Sequence, residues 1–134
     1  MECDEVMLTV RITAAERALL RRLAQGHRSD VSEVVADGLL DVLPTLQSTA
    51  DAYRLLAALT PPAPCAQTVW LPGALTDLLV LAAARIAQVT GVRLGSASAI
   101  LGAAVRLWLS QDPGRLAANL QVMHEGRSAA LAVA

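Results

Sequence analysis

Acid–base or nucleophilic chemistry needs a histidine, cysteine or carboxylate held against a partner, and this chain offers little of that. His27 and His124 are far apart, and each lacks an evident Asp or Cys partner. A histidine in a loop is ordinarily solvated. Cys3 and Cys65 make neither a metal-site spacing nor a disulfide framework. There is no HExxH, no CxxC and no phosphate-binding glycine loop. The sequence therefore predicts no catalytic residues, no metal site and no cofactor. The chemistry left to the chain is recognition, so it reads as a binding module and not as an enzyme.

Charge narrows what such a module could recognise. Eleven basic and twelve acidic residues leave a formal charge of -1, and all eleven bases are Arg. That excludes a binder driven by a strongly basic tail, while a local basic face remains allowed. The charge is uneven: residues 1–60 hold six Arg and nine acids, for -3, and residues 61–134 hold five Arg and three acids, for +2. Hydrophobic residues make up 54% of 134, enough for a core and too many for a disordered chain. The longest uncharged stretch, Leu55 to Thr76, is broken by Pro61, Pro62, Pro64 and Pro72, so it predicts no spanning helix. The apolar run Leu78 to Ala84 is too short for one. The acidic start MECDEV lacks the apolar segment of a signal peptide. A reduced, cytoplasmic setting is expected.

The elements that would position a binding surface follow from periodicity. Met7 to Ile12 alternates, with Leu8, Val10 and Ile12 on one face and Met7, Thr9 and Arg11 on the other. Thr13-Ala14-Ala15-Glu16 is a capping box that opens a helix with Leu19, Leu20 and Leu23 as its stripe, and Gly26 stops it. Ser29 or Asp30 caps a second helix, which buries Val31, Val34, Val35, Leu39 and Val42. Leu46 to Leu59 predicts a connecting helix, and Thr60-Pro61-Pro62-Ala63-Pro64 a linker. The order then recurs. Ala66 to Leu71 reads as a strand, and Pro72 opens a helix lined by Leu75, Leu78, Leu79, Ala82, Ala83, Ile86 and Val89. After Gly91, Gly95 or Ser96 starts another helix, with Ile100, Leu101, Ala104, Val105 and Trp108 inside. Residues 114–125 predict a short last helix, and Ser128–Ala134 a frayed tail.

Thr9-Val10-Arg11-Ile12-Thr13 aligns with Thr68-Val69-Trp70-Leu71-Pro72, and Arg28-Ser29-Asp30-Val31-Ser32 with Leu94-Gly95-Ser96-Ala97-Ser98. In element order and apolar phase the chain resembles the ribbon-helix-helix DNA-binding family, over residues 6–43 and 66–111. The resemblance implies a mostly α fold with one short two-stranded antiparallel ribbon, built from two ribbon-helix-helix units in one chain. The units would be residues 1–45 and 66–112, joined by a linker with a short helix at 46–65 and followed by a partly flexible segment at 113–134. The chain would then be an intramolecular pseudo-dimer, similar to tandem accessory proteins of conjugation and plasmid systems, or to a regulator of transcription.

That family lays its ribbon in the DNA major groove. Carried over, Met7, Thr9, Arg11, Ala66, Thr68 and Trp70 are the implied base contacts. Arg11 suits a bidentate pair with guanine, the threonines can donate, accept or touch a thymine methyl, and Trp70 departs from the family's polar pattern. Arg28, Ser29, Arg93, Gly95 and Ser96, around the second helix of each unit, are the implied phosphate contacts. Double-stranded DNA is the implied partner. The alternative is a protein-interaction module on the same fold, which the near-neutral charge, Asp30 and Trp70 favour.

Overall fold

A lone strand leaves its backbone donors and acceptors unpaired, so each half of this chain needs the other. The computed structural model describes residues 5–133, apart from the side chains of His124 and residues 126–133. In it β1 (Glu5–Ile12) pairs antiparallel with β2 (Cys65–Pro72), placing Met7 opposite Trp70, Thr9 opposite Thr68 and Arg11 opposite Ala66. The strands frame α1 (Ala14–Gly26), α2 (Val31–Val42), a 3-10 turn (Leu43–Thr45) and α3 (Thr49–Ala57). After β2 come α4 (Gly73–Thr90), α5 (Ala97–Leu109) and α6 (Pro113–Val133).

Local chemistry sets these boundaries. The Glu16 N–H donates to Thr13 Oγ1 at 3.0 Å while Glu16 Oε1 accepts from the Thr13 N–H at 2.7 Å, the reciprocal box that starts α1. Asp30 caps α2 by accepting from the Glu33 N–H, and Ser96 caps α5 by accepting from the Ala99 N–H. Ser48 and Asp51 form a second box at α3. The hydrogen bonds that the Asp51 carboxylate accepts from the Ser48 backbone, the Ser48 hydroxyl and the Gln47 backbone hold its pKa below the usual aspartate value, despite some desolvation. Gly91 ends α4 with φ 77°, a left-handed conformation that costs glycine nothing.

The period-2 face of the ribbon carries Val10, Ile12, Val69 and Leu71 into the core, all fully buried, with Leu8 half-buried at its margin. Beneath them lie Leu20 and Leu23 of α1, Val34, Val35 and Leu39 of α2, and Ile100, Leu101, Val105 and Trp108 of α5. Leu55 of α3 and Leu116 and Leu120 of α6 belong to the same cluster. Two polar junctions lock it. Arg106 of α5 is buried, donating from Nε to both Glu16 carboxylate oxygens at 3.1 and 3.2 Å and from Nη1 to Pro61 O at 2.8 Å. Trp108 Nε1 and Asn119 Nδ2 both donate to Asp41 Oδ2, joining α2, α5 and α6.

The mostly α architecture with one two-stranded antiparallel ribbon agrees with the sequence reading, but the two ribbon-helix-helix units do not. There is one ribbon, made of one strand from each half, and one apolar cluster that continues through both halves. α5 packs on β1 and α2 on β2, so each of these helices crosses to the strand of the other half. Neither half keeps a core of its own, and the intramolecular pseudo-dimer is corrected to a single interleaved structure that also incorporates α3 and α6. Finer corrections follow. Pro44 lies within the 3-10 turn, so the connecting helix starts at Thr49 and not at Leu46. Pro72 ends β2 and precedes α4. α6 runs to Val133, past residue 125 where the last helix was expected to end. Cys3 and its expected lack of a disulfide lie outside the described residues.

One further difference concerns α4. Only Leu75, Leu79 and Ile86 are buried, whereas Leu78, Val80, Leu81 and Val89 stay exposed. By length and composition this 18-residue helix, with mean hydropathy 1.3, is long and apolar enough to cross a membrane. The sequence reading had expected no such segment, having stopped at the shorter run from Leu78. The helix also carries Asp77 and Arg85, both exposed.

Candidate nucleic-acid interface on the ribbon

One face of the ribbon is committed to the core, and the pleat therefore turns Glu5, Met7, Thr9, Arg11, Ala66, Thr68, Trp70 and Pro72 to solvent. The structure thus brings the six expected base-contact residues onto one open surface. They face each other in three rows. Thr9 and Thr68 form the centre, Met7 and Trp70 the row on one side, and Arg11 and Ala66 the row on the other. Side chains directly opposite in an antiparallel pair lie within contact range, so each row acts as a unit.

The rows differ chemically. Met7 and Trp70, 56% and 50% exposed, make an apolar end, beyond which Glu5 adds a negative charge. The opposite end holds the single cation on this face. Arg11 Nε donates to Ala63 O at 3.3 Å and Nη2 to Pro64 O at 2.9 Å. The linker thereby fixes the guanidinium at the ribbon's edge while Nη1 still has donors to offer. The sequence reading missed this anchor. Its signal was the register: with Ile12 opposite Cys65, the residues just before Cys65 must run past the end of β1.

The helix starts supply the other candidates. Trp70 N–H donates to Ser32 Oγ at 2.9 Å, which ties the beginning of α2 to the edge of β2. Ser32 was not among the expected site residues. Arg28 and Ser29 precede that helix, Arg28 with a φ of 53°. The Asp30 carboxylate takes the Glu33 N–H at 2.8 Å, so this helix start already holds an anion of its own. At α5 the cap is the neutral Ser96 hydroxyl, no acid lies in the first turn, and Arg93, Gly95 and Ser96 are exposed. No hydrogen bond ties that loop to the ribbon among the described residues.

No group of three or more His, Cys, Asp or Glu gathers among the described residues in a way that could hold a metal ion. Cys65 is a half-buried free thiol at the start of β2. His27 ends α1, its backbone N–H donating to Leu23 O at 3.2 Å.

No known protein family matches the chain, and neither a curated protein nor a solved structure matches it. The resemblance to the ribbon-helix-helix family is therefore not supported by any of these comparisons, and the plasmid and conjugation roles it implied have nothing to rest on. What stands is the geometry of one ribbon with an open, mixed-polarity face.

Proposed function

We propose that the chain binds double-stranded DNA by laying the open face of the ribbon in the major groove. The observation that carries this reading is the central Thr9–Thr68 row flanked by an anchored Arg11. A two-stranded ribbon has the width the major groove admits, and Arg11 is the side chain suited to the O6 and N7 edge of guanine. A guanidinium already held by two carbonyls gives up less rotamer freedom on binding than a free one. The α5 start, with Arg93 and a neutral cap, offers backbone N–H groups to a phosphate.

The test is fluorescence anisotropy of labelled random duplexes over a salt series, followed by selection from the same pool. Binding should weaken steeply as salt rises, because phosphate contacts release counterions. Arg11→Ala should weaken the selected site by about 1–3 kcal/mol, and Arg93→Ala should weaken all sequences alike. A chain that binds no duplex at low salt, or binds equally well without Arg11, would defeat the proposal.

A second reading has its own observation. Met7 opposite Trp70 forms an apolar end beside an acid, an arrangement suited to docking a protein. It would be favoured if selection enriches nothing while the exposed Trp70 still responds to a bound protein.

A further inference from the structure

The outward side of α4 is apolar at its centre and oppositely charged at its two ends. Leu81 is the most exposed of its large apolar residues, at 65%, and lies midway between Asp77 and Arg85 on one i, i+4 ridge. Leu75, Leu79 and Ile86 occupy the buried side of the helix. Arg85 Nη2 donates to Gln47 O at 2.8 Å, which holds the guanidinium at the mouth of a groove of about 380 Å³. Leu39, Leu43, Pro44 and Leu46 line the far wall of that groove. Leu40 and Leu78, both about half exposed, extend the apolar area on either side. The Asp77 carboxylate has no hydrogen bond or ion pair among the described residues.

We infer that this face is where a second copy of the chain docks, α4 against α4 and antiparallel, about a two-fold axis passing beside Leu81. The charge order is self-complementary in that arrangement and in no parallel one. A two-fold contact requires that when residue i meets residue j of the copy, j also meets i. With the two Leu81 side chains flanking the axis, Asp77 of each chain meets Arg85 of the other, so two ion pairs bracket an apolar centre. In the common crossing near -50° the i, i±4 ridges of the two helices lie side by side, ridge in groove, which sets Asp77 of one chain beside Arg85 of the other. A parallel pairing would set Asp77 on Asp77 and Arg85 on Arg85. The exposed leucines supply the burial and the charges the orientation, the usual division between the centre and the rim of an interface.

This inference does not rest on the DNA reading, and its test uses the chain without DNA. Sedimentation equilibrium of the wild type over a concentration series should show the mass rising toward two chains. Leu81→Arg should give one chain throughout. Asp77→Arg and Arg85→Asp should each weaken association about tenfold or more, because like charges then meet twice across the axis. The double exchange, Asp77→Arg with Arg85→Asp, should restore it. Far-UV circular dichroism of each variant shows that it is folded, as expected for exposed positions. A wild type that stays single-chain up to about 1 mM, where only negligible affinity remains, would overturn the inference. So would a double exchange no tighter than the single ones. Flotation of a single-chain wild type with phosphatidylcholine vesicles, abolished by Leu81→Arg, would likewise overturn it and assign the face to a membrane.

Discussion

Gly38→Ala sets two well-measured effects against each other at one atom. In an ordinary helix interior, alanine is favoured over glycine by about 1 kcal/mol, since glycine loses more backbone entropy on folding. Gly38 sits in α2, where a Cβ would meet Trp108 Cδ2 and Cε3 at 2.7 Å and Cε2 at 3.0 Å. The indole cannot easily yield. It is almost wholly buried, and its Nε1 is held by Asp41 Oδ2 at 2.9 Å, an acceptor shared with Asn119. Overpacking costs about 1–3 kcal/mol, and displacing the indole from a charged acceptor about 1.5–3 kcal/mol more. Set against the propensity gain, the net is about 1.5–5 kcal/mol of destabilisation. Urea unfolding followed by circular dichroism and tryptophan fluorescence measures it. The partner change Trp108→Phe opens room for the methyl group, so the double variant should lose less than the sum of the two single losses. A Gly38→Ala protein as stable as the wild type, or more stable, would refute the close approach of α2 and α5 at this point.

Ile100→Ala should cost about 2–5 kcal/mol in the same unfolding assay, because Ile100 is fully buried among residues from several elements and its removal leaves a cavity. Arg106→Met should cost about 2–3 kcal/mol by leaving Glu16 and the Pro61 carbonyl without their donor, and Glu16→Gln should cost less, since glutamine can still close the box at α1. Asp51 has a folded pKa below its unfolded one. Its contribution is therefore complete above the usual aspartate range and is lost as pH falls through the depressed value, so amides at the start of α3 should exchange faster on acidification, and Asp51→Asn should remove that dependence.

Period and caps made much of this architecture readable. The alternation in Met7–Ile12 and Ala66–Leu71 announced a ribbon with one wet face, and the antiparallel pairing sets Thr9 opposite Thr68. Val34, Leu39, Ile100 and Val105 were expected inside and are nearly fully buried. What period cannot state is which partner an apolar stripe will meet. Two similar strand-helix-helix orders suggested two units, whereas α2 and α5 each serve the strand of the other half. The seven apolar positions expected on α4 follow a helical period, yet Leu78 and Val89 face water, because the core there has room for only part of the stripe. Arg106 is a different failure. Its partner Glu16 lies 90 residues away, and no local pattern marks an arginine in an apolar helix as buried. Arg11 could be placed on the open face but not fixed there, because its acceptors are linker carbonyls whose position depends on the register.

The open face differs from one end to the other, apolar at Met7 and Trp70 and cationic at Arg11, and the helices beneath it repeat that asymmetry. β2 carries Trp70 and is tied through Ser32 to α2, whose start holds Asp30 and Glu33 beside Arg28. β1 carries Arg11 and packs on α5, whose start has a neutral cap and is preceded by Arg93. An arriving phosphate is thus disfavoured by a carboxylate at one helix start and meets only dipole and cation at the other. A homodimer would present two equal ends and select a palindrome. Here the two strands come from different parts of one sequence, and each has kept its own chemistry. On the DNA reading, a duplex with the ribbon in its major groove would take one orientation, with its guanine at Arg11 and its firmest backbone contact at α5. The asymmetry of the site follows from the same interleaving that gives the chain a single core.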